Sequence, residues 1–332
     1  DSMRWEGNFG KLPIAFPHTV SNLNTTATLT SYNNNFALTP FAVEHFFKFA
    51  KAVFREEKLG QDAAPDLLCL SISSTDYLGH AYGPDSREVQ EMYVHIDKML
   101  GDWIDFLDEA VGRKNYTLVI TSDHGVAPAP EYTRYKNPGA DAGRIRGLDL
   151  IEAMEAYLRE TFPVGAASKW IDFYEVPSIF LNPATLELVT STRFGATGAP
   201  PTKTEVLDSL AAFLLRYPGV GIALTAEQLE QNICPETVSP WQFALVRNDY
   251  FPQRTGDIVF YPSKFWITSS ITTTHGAPHD YDRHAPMMLM GAGVRAGYYK
   301  DARVAPSDIA PSLAQILGIT LPSADGKVLP WK

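Results

Sequence analysis

The chain holds 332 residues, 45% of them hydrophobic and 20% charged, with 24 prolines and 23 glycines. That composition excludes disordered, collagenous and coiled-coil classes, and the length suits roughly two ordinary domains or one large α/β domain with insertions. Twenty-eight Lys and Arg against 38 Asp and Glu leave a net charge of −10. The chain therefore lacks the basic field that non-specific nucleic-acid binding requires, and no apolar run is long enough to span a bilayer. Neither nucleic acid nor membrane is an expected partner.

The chain begins at Asp1 with no basic-then-apolar leader, which reads as a processed or excised polypeptide. Its first forty residues are rich in Asn, Thr and Ser and read as loop or extension. Residues 41–59 read as an amphipathic helix, with Phe46, Phe47, Phe49, Ala50, Val53 and Phe54 on its apolar side. The short apolar run 66–73 reads as a buried parallel strand ending in Ser-Thr-Asp, and Cys69 within it as a core thiol. The second cysteine, Cys234, forms no CxxC pair with it. Residues 85–111 carry apolar side chains at three- and four-residue steps, from Val89 to Leu107, and read as a second helix. Residues 116–122 repeat the strand pattern. Strand, helix and strand make a right-handed βαβ unit, so the expected fold is an α/β/α sandwich with a mostly parallel central sheet.

Helical patterns follow at 148–162 and 204–217, with strand-like runs at 179–181 and 220–224. This middle region holds no metal-type cluster and reads as a smaller α+β insertion or cap. Residues 256–261 and 287–289 read as returning strands of the main sheet, and 305–317 as a closing helix. The expected domains are 1–146 and 251–332 for the α/β core and 147–250 for the insertion.

Three polar clusters carry candidate chemistry. Asp76 and His80 lie four positions apart just after the first expected strand; on one helical turn they share a face and converge on one ion. Alone the spacing is weak, because an N-capping Asp beside a surface His is the commoner meaning. Asp123 and His124 sit side by side at the end of the second expected strand, before Gly125. In an extended segment their side chains point apart, so each can face a different ion. The third cluster, 272–284, contains His275, His279 and His284. Here His275 is the expected ligand, while His279 and His284 orient neighbours or face solvent. His18, His45 and His95 fit a loop and helix faces. Together Asp76, His80 and His275 make a carboxylate and two imidazoles, the donor set of a catalytic zinc with one open position. Asp123 and His124 supply two ligands for a second ion.

With these motifs in view the chain resembles the alkaline phosphatase superfamily. Asp76-x-x-x-His80, Ser122-Asp123-His124-Gly125 and Thr274-His275-Gly276, then Tyr281-Asp282 and His284-Ala285-Pro286, follow its metal motifs in order and setting. Within it the chain looks most like the bacterial phosphate-irrepressible alkaline phosphatases and their relatives, the nucleotide pyrophosphatase/phosphodiesterases. Further stretches that carry the likeness are 71–84, 250–258 and 307–313. The resemblance implies a phosphate-ester hydrolase with two Zn2+ ions, a covalent phosphoryl intermediate on a Thr or Ser, and a periplasmic or secreted location. A sulfatase is disfavoured, because its usual calcium prefers oxygen donors to this histidine-rich set.

The family also opens with a strand ending in Asp-Gly and then presents its nucleophile at a helix N-terminus. Neither motif occurs here: Asp1 follows no strand, and Thr25, Thr26 and Thr28 sit in a polar Asn/Thr stretch. The expectation is thus a C-terminal portion with one metal site complete, the other short of a carboxylate, and the nucleophile outside the chain. By itself such a polypeptide is expected to be an inactive metal-binding module.

Overall fold

The computed structural model describes residues 29–165, 168–193, 198–297 and 303–329. In chain order come α1 (Leu29–Ala37), α2 (Pro40–Glu56), α3 (Ser74–Tyr82), α4 (Arg87–Ala110), β1 (Thr117–Thr121), α5 (Pro130–Lys136), β2 (Gly143–Arg144) and α6 (Gly147–Thr161). These are followed by β3 (Ile171–Glu175), β4 (Ser178–Leu181), α7 (Pro183–Ser191), α8 (Lys203–Leu214), β5 (Val220–Thr225), α9 (Ala226–Glu230) and α10 (Pro240–Asp249). The last are β6 (Ile258–Pro262), β7 (Trp266–Ile267), α11 (Asp280–Arg283), β8 (Met287–Gly291) and α12 (Ile309–Leu317). The chain divides into two compact units, one of Asp1–Gly125 with His284–Lys332 and one of Val126–Arg283. The insertion expected at 147–250 lies within the second unit.

In the first unit α2 buries Val43, Phe47, Ala50 and Phe54, positions spaced four, three and four apart, as a helix with one apolar face must. They meet Trp103 and Phe106 of α4, with ring centroids of Phe47 and Trp103 5.9 Å apart and those of Phe54 and Phe106 5.2 Å apart. Each large apolar side chain buried here contributes roughly 1.5–3 kcal/mol by area. Helix α4 begins at Ser86, whose side chain accepts from the Val89 amide at 3.3 Å and satisfies one of the amides a helix start leaves open. Helix α3 joins the same core through Leu78, Ala81 and Tyr82.

Strand β1 pairs with β8 antiparallel, from Thr117 opposite Gly291 to Thr121 opposite Met287. Gly291 has φ +105, and a Cβ there would stand 2.2 Å from the Tyr116 carbonyl oxygen, so the close of this ladder requires glycine.

The second unit is built on a four-stranded sheet of order β3-β4-β6-β5. All of its ladders are antiparallel. Ile258 and Phe260 of β6 face a core with Leu150, Met154 and Leu158 of α6 and Leu207, Leu210 and Leu214 of α8. Val259 and Tyr261 face a second core with Leu229, Phe243 and Val246. Helices therefore cover both faces of this sheet. A separate parallel pair joins β2 to β7.

The α/β class is as the sequence implied, but several details differ. Among the described residues only the β2–β7 pair is parallel. Residues 66–72 form no ladder, and Leu67 is 68% exposed. A strand needs a hydrogen-bonded neighbour as well as apolar side chains. Cys69 is accordingly exposed rather than a core thiol. Of residues 256–261, expected in the main sheet, 258–261 instead lie in β6, the inner strand between β4 and β5. Its five buried residues read as a continuous apolar run because both faces are covered, which is the same signal a parallel strand gives. Of the expected N-terminal loop, residues 29–37 are helical; Thr25, Thr26, Thr28 and His18 lie outside the described residues. Among the described residues no helix is long and apolar enough to cross a membrane.

Candidate functional site

Helix α3 places the first pair. Asp76 lies in its first turn, where a carboxylate complements the exposed amides and the helix dipole. His80 lies one turn further, so both project from one side while Leu78, Ala81 and Tyr82 are buried. Asp76 Oδ1 is 3.4 Å from His80 Nε2. Gly83, at φ +90, ends the helix directly afterwards and frees the chain to turn into α4.

The second pair follows the end of β1. Thr121 pairs with Met287, and its hydroxyl donates to the Pro286 carbonyl at 2.9 Å. The next residues leave the ladder and form a tight polar turn. Ser122 Oγ donates to the His124 carbonyl at 3.1 Å, and the His124 amide donates to Asp123 Oδ1, also at 3.1 Å. His124 Nδ1 is 2.7 Å from the Gly125 carbonyl. A carbonyl only accepts, so Nδ1 carries the proton and Nε2 is the ring nitrogen that can serve as a ligand. Nε2 lies 3.9 Å from Asp76 Oδ1 and 3.6 Å from Asp123 Oδ2.

Four of the five expected ligands thus gather in the first unit, with the Asp76 carboxylate next to both imidazoles. Tetrahedral donors about 2.0 Å from a zinc stand about 3.3 Å from one another. The 3.4 Å between Asp76 and His80 matches that edge. Carboxylates and imidazoles, with one ring tautomer held by a carbonyl, are donors that a divalent metal ion accepts. Asp123 is 88% exposed, leaving its second oxygen open.

His275 belongs to the second unit, where it is half-buried in the loop between β7 and α11. The neighbouring histidines differ from it. His279 Nε2 is 2.9 Å from the Pro262 carbonyl, and burial first of all, with Lys264 adding to it, holds its pKa below the usual 6.5 against the opposing effects of that bond and Asp280. His284, His45 and His95 are exposed. Arg144 and Glu131, which organise the loop carrying His275, were not singled out by sequence. Nothing in Gly-Arg-Ile-Arg separates Arg144 from a surface arginine.

Comparison with known proteins places the chain in the alkaline phosphatase superfamily. The family model for type I phosphodiesterase / nucleotide pyrophosphatase matches residues 14–165. The alkaline phosphatase PhoV of Synechococcus elongatus is 31% identical over 342 residues, which cover 99% of this chain and 55% of that protein. The alkaline phosphatase PafA of Elizabethkingia meningoseptica is 28% identical over 97% of this chain and 55% of its own length. A crystal structure of PafA superposes with a TM-score of 0.82 at 26% identity, covering 99% of this chain and 59% of that one. The chain therefore spans just over half the length of the curated relatives it matches.

Proposed function

We propose that this chain is the metal-binding portion of a zinc-dependent phosphate-ester hydrolase of the alkaline phosphatase type. The observation that carries this is the Asp76 carboxylate standing 3.4 Å from His80 Nε2 and 3.9 Å from His124 Nε2. In this reading Asp76, His80 and His275 hold one ion, each giving one ligand atom from a half-buried side chain. Asp123 and His124 hold part of a second site. When bound, a zinc pair neutralises phosphoryl oxygens and favours the deprotonated form of an attacking hydroxyl.

The chain's own residues supply the framework for that chemistry. Asp76 sets a carboxylate oxygen beside Nε2 of His80 and Nε2 of His124, so three lone-pair donors converge where an ion would bind. His124 is prevented from turning its protonated nitrogen toward the site by the Gly125 carbonyl. The net charge of −10 repels an anionic ester at long range, so attraction must come from the site itself. The Thr or Ser nucleophile and the remaining carboxylate lie outside this chain. Support for that comes from the 55% share of the relatives that the chain spans and from the family's opening motifs having no counterpart in the sequence.

A second reading, a nucleotide pyrophosphatase/phosphodiesterase, is favoured by the family model that matches residues 14–165. Phosphomonoester and phosphodiester substrates offered to a longer polypeptide that includes this chain separate the two. A preference for monoesters, abolished by chelation and restored by zinc, is expected. Activity indifferent to chelation would remove the metal reading altogether.

A further inference from the structure

Residues 268–279 form no strand and no helix, so the carbonyls of this loop have no ladder to join and need other donors. Three of them find one guanidinium. Arg144 Nη1 donates to the Ser269 carbonyl at 3.2 Å and also to the Ile271 carbonyl, and Nη2 donates to the Thr272 carbonyl at 2.8 Å. The opposite edge of the same group is held by Glu131, with Nε to Oε1 at 2.8 Å and Nη2 to Oε2 at 2.7 Å. An arginine has five N–H donors. These five bonds engage every one of them.

The anchor is itself fixed. Arg144 pairs with Ile267 across the β2–β7 ladder, and the Ile145 amide donates to the Ile267 carbonyl at 2.9 Å. Gly143 lies flat on Trp266, where an added Cβ would stand 2.7 Å from the ring. Beyond Thr272 a second set of bonds continues the restraint. Buried Thr273 donates through Oγ1 to the Ala127 carbonyl at 2.6 Å, and the Ala127 amide donates to the Thr274 carbonyl at 3.2 Å. The backbone is thus tied from Ser269 to the residue immediately before His275.

We propose that Arg144, locked by Glu131, is a positioning residue for His275: it fixes the loop backbone and so sets the direction in which the imidazole is presented to an ion. This rests on the reading of His275 as a metal ligand. Lysine is no substitute, because a point charge with three donors cannot pair with a carboxylate edge and cap three carbonyls at once.

The test uses the 332-residue chain, zinc alone as the probe, and chelator competition to read its affinity. Arg144→Lys is expected to weaken zinc binding by roughly 10- to 100-fold, the usual cost of losing a group that orients a ligand, and to speed amide exchange across 269–275 in the metal-free protein. In a His275→Ala background the same substitution is expected to leave zinc affinity unchanged, which a general loss of stability would not do. Affinity equal to wild type in Arg144→Lys, or an equal loss in both backgrounds, overturns the positioning role while the ligand role stands. Zinc affinity unchanged in His275→Ala alone removes the ligand reading and this inference with it. If Arg144→Lys fails to fold, Glu131→Gln, which keeps all three carbonyl bonds and weakens the lock, carries the same comparison.

Discussion

Asp76 Oδ1 and His80 Nε2 stand 3.4 Å apart on one side of α3, a separation set by one helical turn and close to the donor spacing around a tetrahedral ion. The same oxygen is 3.9 Å from His124 Nε2 at the end of β1. One carboxylate thus joins a helix to a strand terminus within the first unit, and its loss is expected to disturb both.

In a longer polypeptide that includes this chain, Asp76→Ala, His80→Ala and His275→Ala are each expected to release zinc and abolish most phosphate-ester hydrolysis. His95→Ala, on the exposed side of α4, is expected to do little. Metal content by atomic spectroscopy beside turnover checks this, and full zinc occupancy in His275→Ala would count against its place as a ligand.

The isolated 332-residue chain is expected to show no meaningful turnover when saturated with zinc. In-line positioning of a nucleophile supplies on the order of 7–11 kcal/mol of a barrier, and the proposal places that nucleophile elsewhere. Slow hydrolysis of an activated aryl phosphate sets the background. Turnover matching that of the longer polypeptide, surviving repurification and lost in Asp76→Ala, would show that a nucleophile lies within this chain.

Glu155 is buried in the second unit and accepts from the Trp170 and Ile171 amides, both at 2.9 Å, while its other oxygen meets Arg159 at 2.6 Å. Glu155→Ala strands two buried amides, each costing about 1–3 kcal/mol. A loss of roughly 2–5 kcal/mol in the unfolding free energy is expected by urea titration. Glu155→Gln keeps an acceptor for the amides and is expected to cost less. Equal losses in both variants would place the cost in the Arg159 pair instead.

The pKa of His279 is lowered in the folded chain from 6.5, so below that value the unfolded chain binds the proton more readily. The stability this neutral ring contributes is present above pH 6.5 and is lost as pH falls toward the folded pKa. Lys264 and Asp280 act on the ring in opposite senses. The stability gap between wild type and His279→Gln is expected to narrow between pH 7.5 and 5.0, measured by urea unfolding at each pH; a constant gap would show that the ring is not the group titrating.

Spacing and residue type determined much about this chain without coordinates. The three-and-four steps of α2 and α4 marked most of their buried faces, because a helix repeats its surface every 3.6 residues, but Phe49, expected on the apolar side of α2, is 62% exposed. Asp76 and His80 were legible as a pair for the same reason, and Asp123-His124 as the residues just past a strand. Tertiary structure alone decided what depends on partners distant in sequence. Whether 66–72 joins a ladder, and hence whether Cys69 is buried, turns on a neighbouring strand that its own residues cannot specify. Strand β6 reads the same in a parallel sheet or between β4 and β5, since burial on both faces erases the alternation that would tell them apart. Arg144 carried no signal at all: its five acceptors come from Glu131, 13 residues away, and from carbonyls at least 125 residues away, and backbone carbonyls, which every residue has, leave no mark in a sequence.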